Sequence, residues 1–460
     1  MVTEARSEEL ADGRHRRHVV PRSDHAGWEP LPNRPDPVAI IEAQNKSRLP
    51  ALVPVRIGRM IESPFAFLRG AALVMAHDLA TTPDAGFTVQ ICGDAHMANF
   101  GLFASPERVL LFDVNDFDET DAGPWEWDVK RLCASAAVVA RDAGRPPSDQ
   151  QGAARAAAAA YRIHMAEYAT MSELDLWYAR VDAETAGRLI ASADAAAKPA
   201  VQAELRAARH RTSASALPKL TELAPNGSPR IVDHPPLVSH EGVDKHGKLL
   251  EEVRSGYLAA LDDARRALVG RFEAVDFALK VVGVGSVGTR CFIALLLDET
   301  EQPLLLQVKE ADESAPAQVG AAVPRPGRRR GPGTQARRVV EGQHRMQAAT
   351  DLFLGWSDAE GVDYYVRQLR DMKGSVDASA LDKLVLVDYA GLCGWVLARA
   401  HARSAGAATA ARIAGYLGSS DAFEDALANF ALAYADQTER DHEALVAAVH
   451  AGRLPAETGT

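Results

Sequence analysis

Residues 283–309 read GVGSVGTRCFIALLLDETEQPLLLQVK, and the architecture turns on how these residues fold. Gly283, Gly285 and Gly288 form a G-x-G-x-x-G cluster, which fits two opposite architectures. In a dinucleotide-binding domain such glycines open a helix. In a phosphate-covering loop they join two strands. Residues 289–297, TRCFIALLL, are β-branched and apolar, which predicts a strand. Further strands are expected over 277–282 and 304–308, the last running into Lys309. A Rossmann reading would also want an acidic residue after a second strand, and that fit is poor. Strand, glycine loop, strand, strand, lysine is the order of a kinase-like sheet. There Gly283, Gly285, Ser286 and Gly288 would cover nucleotide phosphates and Lys309 would hold them.

Downstream, residues 312–337 hold the Pro/Gly/Arg-rich run PRPGRRRGPG and read as a long mobile insertion. A helix is expected over 339–353, with Glu341 as the acid that pairs with Lys309. A further strand is expected over 364–369, with a hinge near 367–373. The strand-rich block, about 271–373, therefore lies between two helical blocks, 36–270 and 374–450. Residues 1–35 are polar and proline-punctuated and read as a flexible tail without the apolar core of a signal peptide. Residues 451–460 read as a second tail. Ser63-Pro64 has the form of an N-cap followed by proline at the first helical position. Residues 213–246 read as a long loop.

Upstream, residues 92–99 read CGDAHMAN and follow an expected strand at 87–92. Asp94 and Asn99 have the D-x-x-x-x-N spacing of a phosphoryl-transfer loop. In that role the aspartate orients the attacking hydroxyl, and the asparagine supplies an oxygen to magnesium, a hard cation. Alone, the spacing also fits a polar turn after a strand. Two more strands, 99–103 and 109–114, would return the chain to the acidic run DVNDFDETD at 113–121. So many carboxylates repel one another unless a cation or basic group sits among them. Asp116 is the preferred second metal ligand, with Asp113 as its competitor. His96 could contact a phosphate but reads first as a shaper of the loop by hydrogen bonding. Arg56, Arg59 and Arg69 border the helix before the 87–92 strand; contact with substrate or phosphate is open to them, but they read first as structural ion-pair formers, and His401 and Arg403 as cations favoured at a helix end.

The bulk properties narrow the function. The 460 residues are too many for one ordinary core, so two lobes are expected. A net charge of −11 argues against broad binding to nucleic acid or anionic membrane. No run approaches the roughly 18 apolar residues of a membrane span. The four cysteines are scattered in apolar surroundings without a CxxC pair, which fits reduced thiols and a cytoplasmic protein rather than a zinc or disulfide framework.

The runs RIGRMIESPFAFLRGAA, CGDAHMANFG, FDVNDFDETDAGPWEWDVKRL, VVGVGSVGTRCF, LQVKEA, RVVEGQ and ARAHARS resemble the bacterial family named domain of unknown function 2252 over nearly the whole chain. More remotely, GDAHMAN and NDFDE are similar to motifs of aminoglycoside phosphotransferase-like and choline-kinase-like proteins. That similarity implies Asp94 as catalytic base, Asn99 and Asp116 as metal ligands, and Asp128 as a structural aspartate. Cys92 stands where those proteins usually have histidine. The order also differs, because here the catalytic loop precedes the glycine loop. A circular permutation accounts for this, and is tolerated where original ends lie close together at the surface.

The expectation is an α+β, two-lobed, circularly permuted kinase-like fold that uses ATP and Mg2+ on an unidentified hydroxyl or amine acceptor. The rivals are a nucleotide-binding pseudokinase, an AMP-transferase on the same fold, and a metal-dependent phosphoester hydrolase built on Asp94, His96 and Asp116.

Overall fold

A computed structural model describes residues 2–193, 198–225, 227–241, 247–322, 331–369 and 371–459. The chain begins with α1 (Val2–Arg16), α2 (Pro37–Asn45), α3 (Val53–Met60), α4 (Pro64–Gly70) and α5 (Ala72–Leu79). Strands β1 (Thr88–Ile91), β2 (Phe100–Ala104), β3 (Leu110–Val114) and β4 (Asp121–Pro124) follow. Helices α6 (Trp125–Asp142), α7 (Pro147–Tyr168), α8 (Glu173–Tyr178), α9 (Ala183–Ala193), α10 (Lys198–His210) and α11 (Ser213–Leu220) come next. Short strands β5 (Thr221–Leu223), β6 (Pro229–Ile231) and β7 (Val238–Ser239) lead to α12 (Gly247–Ala260) and α13 (Asp263–Val269). Then come β8 (Phe272–Lys280), β9 (Cys291–Asp298), β10 (Pro303–Glu310), α14 (Ala315–Gln318) and α15 (Thr334–Met346). The chain continues through β11 (Gly355–Ala359), β12 (Val362–Gln368), β13 (Gly374–Ser375), α16 (Lys383–Leu417) and α17 (Ala422–His450). The fold is α+β.

β9 explains the main sheet. Its residues alternate between faces, as the period of two requires. Phe292, Ala294 and Leu296 pack in one apolar cluster with Leu250, Val253 and Tyr257 of α12. Ile293 and Leu295 pack in another with Ala216 of α11 and Ile231 of β6. A strand buried on both faces carries a continuous apolar run, which is why CFIALLL lacks polar alternation. The six strands run in the order β11-β12-β10-β9-β8-β7, all antiparallel. The expected sheet boundary at 271 shifts as a result. β7, α11 and α12 belong with the sheet, and the stretch expected as a loop at 213–246 contains α11 and three strands.

The helical block packs α6, α7, α16 and α17 around Trp125, Tyr161, Tyr389 and Phe430, all buried. The alanine-rich α7 meets α16 closely. A Cβ at Gly394 would stand 2.1 Å from the carbonyl oxygen of Ala157, so only small residues allow this approach. Ser63 caps α4 as its sequence predicts, accepting from the Ala66 amide at 3.2 Å with Pro64 next to it. The apolar stretch after it breaks at Ala71 into α4 and α5.

Two expected tails are built into the structure. α1 lies against α16: a Cβ at Gly13 would overlap the Arg412 carbonyl, and one at Gly415 would stand 2.3 Å from that of Leu10. At the other end Leu454 is buried, and the Glu457 amide donates to the Pro54 carbonyl at 2.9 Å. In the expected insertion at 312–337, α14 and the start of α15 are helical, while 323–330 lie outside the described residues. Among the described residues, no helix is long and apolar enough to cross a membrane. All four cysteines are buried and unpaired with one another.

Candidate functional site

The loop after β1 turns at Gly93, whose φ is +78°. A Cβ there would also stand 2.1 Å from the Glu119 carbonyl, so glycine is required on two counts. Asp128, in the first turn of α6, holds the loop from beneath. Its two oxygens accept from the amides of Cys92 (2.7 Å) and Gly93 (2.9 Å). The Asn99 side-chain amide donates to the Asp94 carbonyl oxygen at 2.7 Å, closing the loop on itself.

The Asp94 carboxylate accepts from Nε of Arg131 at 2.8 Å. Burial pushes its pKa up to about 6 and outweighs the opposing pull of Arg131. Nε2 of His96 lies 3.6 Å from the other Asp94 oxygen. Burial, with Arg69 and Arg131 nearby, drives the His96 pKa well below its ordinary value, so the ring is neutral.

The acidic run resolves into separate pairings. Asp113 is buried and places both oxygens within 2.6 and 2.8 Å of Nη2 of Arg399 on α16. It also accepts from the Ala348 amide at 2.9 Å. Asp121 accepts from the Ser314 hydroxyl at 2.9 Å, and Glu119 from the Ala315 amide at 2.5 Å. Burial raises Glu119 to about 7. Asp118 accepts from the Lys309 ammonium, from the Tyr365 hydroxyl at 2.7 Å and from the Ser286 hydroxyl at 3.2 Å. Burial opposes its charge, yet Lys309 and the Tyr365 hydroxyl hold it down at about 2. Asp116 lies 4.0 Å from the same ammonium. Burial disfavours the Lys309 charge, but Asp116 and Asp118 together hold its pKa above the ordinary value.

The glycines occupy the connection between the antiparallel strands β8 and β9, and no helix follows them. Gly283 and Gly288 have φ of +59° and +90°. This loop is fastened to the helical block. Nη1 of Arg59 donates to the Gly283 carbonyl at 2.6 Å, and the Leu49 amide to that of Gly288 at 2.7 Å. Arg48 donates to the Val287 carbonyl. Val287 itself is buried with Leu52, Val55 and Val281.

These parts surround one cleft of about 410 Å3, lined by Asp94, His96, Asn99, Asp116, Asp118, Gly283, Gly285 and Ser286 among others. Lys309 reaches it through Asp116 and Asp118. Asn99 and Asp116 both line the cleft and carry side-chain oxygens that could coordinate a hard cation such as magnesium. Among the described residues no group of three or more His, Cys, Asp and Glu side chains is gathered to hold a metal.

Glu341 is a correction. It pairs with Arg337 one turn earlier on α15, at 2.6 Å, and both are partly exposed. The inward face of α15 at this level carries Gly342, where a Cβ would stand 2.4 Å from Thr120, and Arg338, which donates to the Thr120 and Asp118 carbonyls at 2.6 and 2.8 Å. One residue along a helix is about 100° of rotation, so Glu341 points away from Lys309. Asp118 takes the place expected for it. The sequence reading missed Asp118, Tyr365 and Arg131. Asp118 stands inside the acidic run already singled out, whereas Tyr365 and Arg131 carry no local signal. The expected hinge segment leads from β12 into β13, which pairs with β2.

No curated protein and no solved structure matches the chain. The sequence profile of one family, described as "Uncharacterized protein conserved in bacteria (DUF2252)", matches residues 48–448. Every cleft residue named above falls within that span, and the chain belongs to this family.

Proposed function

We propose that the protein binds ATP with Mg2+ and transfers a phosphoryl group to a hydroxyl or amine acceptor, on a kinase-like fold whose parts are circularly permuted along the chain. One observation carries this reading. Asp94, Asn99, Asp116 and Ser286 line one cleft, and Lys309 is bonded there to Asp118 across 191 residues of sequence. The residue types suit phosphoryl transfer, with one carboxylate facing the cleft to take a proton, two oxygen donors, a glycine loop between strands and a lysine.

Asp94, with its carboxyl held near 6, is charged at neutral pH and accepts the acceptor's proton as the new O–P or N–P bond forms. The bond from the γ-phosphorus to its bridging oxygen breaks, and ADP leaves. Lys309 and the glycine-loop amides balance the phosphate charge. Asn99 and Asp116 would hold the magnesium ion, which neutralises phosphate oxygens when bound.

A thermal-shift titration with ATP, with and without magnesium, tests the reading on the wild type, Lys309→Ala and Asp116→Ala. The expected result is a magnesium-dependent stabilisation that both substitutions remove. No shift with any nucleotide would sink it. Product analysis then separates ADP, for phosphoryl transfer, from pyrophosphate, for AMP transfer.

A further inference from the structure

Several arginines come close to the cleft, and most of those in the described residues are used by the protein itself. Arg131 is bonded to Asp94 and to the Leu68 carbonyl. Arg56 is buried against Asn45, Gln44 and the Gly70 carbonyl. Arg59 and Arg48 are tied to carbonyls of the glycine loop. Arg69 differs. It lines the cleft, and among the described residues nothing accepts a hydrogen bond from its guanidinium. Its Nε is buried without a partner. Its guanidinium carbon lies 5.9 Å from the centroid of the Phe65 ring, and the charges of Asp94, Asp377 and Glu62 act on it without bonding to it.

The position of Arg69 is informative. A Cβ on Gly285 would stand 3.3 Å from the Arg69 carbonyl oxygen, so the residue lies directly against the glycine loop. Its charge also acts on Asp94 and His96. Arg69 therefore stands between the phosphate-covering loop and the carboxylate proposed as base. A buried donor with no acceptor is costly and is kept where a ligand supplies the acceptor. The planar fork of guanidinium suits two oxygens of a phosphate or carboxylate.

We propose that Arg69 is an anion seat in this cleft, which receives phosphate or carboxylate oxygens of a ligand presented to Asp94. The anion comes either from the terminal phosphate of the nucleotide or from an acidic group on the acceptor. The proposal rests on the reading of this cleft as the transfer site.

The experiment titrates the full chain with inorganic phosphate, and separately with Mg-ATP and AMP, for the wild type and Arg69→Met. Methionine keeps an apolar stem against Phe65. The expected result is that inorganic phosphate stabilises the wild type, and that Arg69→Met binds it at least about tenfold more weakly. Without ligand, the melting temperature of Arg69→Met should equal or exceed that of the wild type, because no protein bond is lost. A structural ion-pair role would lower it. If ATP binding weakens in the variant while AMP binding does not, the anion is the terminal phosphate. If ATP binding is unchanged but inorganic phosphate no longer stabilises the ATP-loaded variant, the anion belongs to the acceptor. Unchanged binding of both phosphate and ATP, or a wild type that binds no phosphate, overturns the proposal. Phosphate binding lost in the variant, together with no nucleotide binding at all, would instead overturn the phosphotransfer reading and leave the anion seat standing. Should the methionine variant fold poorly, Arg69→Lys keeps the charge without the fork and is expected to show the same weakening.

Discussion

Nε2 of His401 lies 3.1 Å from the Asp128 carboxylate, across 273 residues of sequence. With Nε2 donating, Nδ1 accepts from the Tyr161 hydroxyl at 2.8 Å. The same Asp128 oxygens carry the Cys92 and Gly93 amides. Asp128→Ala would leave three buried donors unmade at once, so a loss of about 3–5 kcal/mol is expected by urea denaturation. His401→Ala spares the two amide bonds and should cost less, about 1–3 kcal/mol. Equal losses would mean that Asp128 serves His401 alone.

Asp113 and Asp116 compete in the sequence but separate in the structure. Asp113→Ala strands Arg399 in the core without its counter-charge and is expected to cost about 3–5 kcal/mol. Asp116→Ala removes a partly exposed carboxylate and should leave stability within about 1 kcal/mol, while abolishing the magnesium dependence of ATP binding. Calorimetric titration on both variants checks this. Magnesium dependence retained in Asp116→Ala would remove that residue as a ligand.

Lys309 takes its carboxylate partner from the acidic run rather than from α15. Glu341→Ala is therefore expected to change stability by no more than about 0.5 kcal/mol, with nucleotide affinity unaltered. Lys309→Met and Asp118→Asn should couple by about 0.5–3 kcal/mol in a double-mutant cycle. A coupled response from Glu341 in place of Asp118 would refute the assignment.

Gly93→Ala should damage the loop more than any surface change. The positive φ and the Glu119 carbonyl at 2.1 Å both oppose a side chain, so a cost of at least about 2 kcal/mol is expected. A melting curve like that of the wild type would show that the turn relaxes freely.

The sheet was legible because its signals are local. The glycines, the apolar strands on either side and the terminal Lys309 appear in the structure in the order read from residues 283–309. Ser63 and Pro64 gave a helix start for the same reason. Glu341 failed because the sequence supplies an acid on a helix but not the direction it faces. That direction is set by Gly342 against Thr120, a contact between distant segments. α1 was hidden because it is polar and is held through backbone approach at Gly13 and Gly415, with Arg6 bonded to the Thr170 carbonyl at 2.7 Å. Such packing leaves no apolar stripe to read. Arg69 looked like its neighbours Arg56 and Arg59, and only the distribution of acceptors in three dimensions set it apart.

The reach of α16 into the site has a consequence for biosynthesis. Asp113 and Asp128 leave the ribosome well before Arg399 and His401, which follow 286 and 273 residues later. At ordinary elongation rates that interval is on the order of tens of seconds. Throughout it Asp113 lacks the guanidinium of Arg399, and Asp128, beneath the loop at 92–99, lacks the imidazole of His401. These two pairings are therefore completed late, only when α16 is available to the rest of the chain.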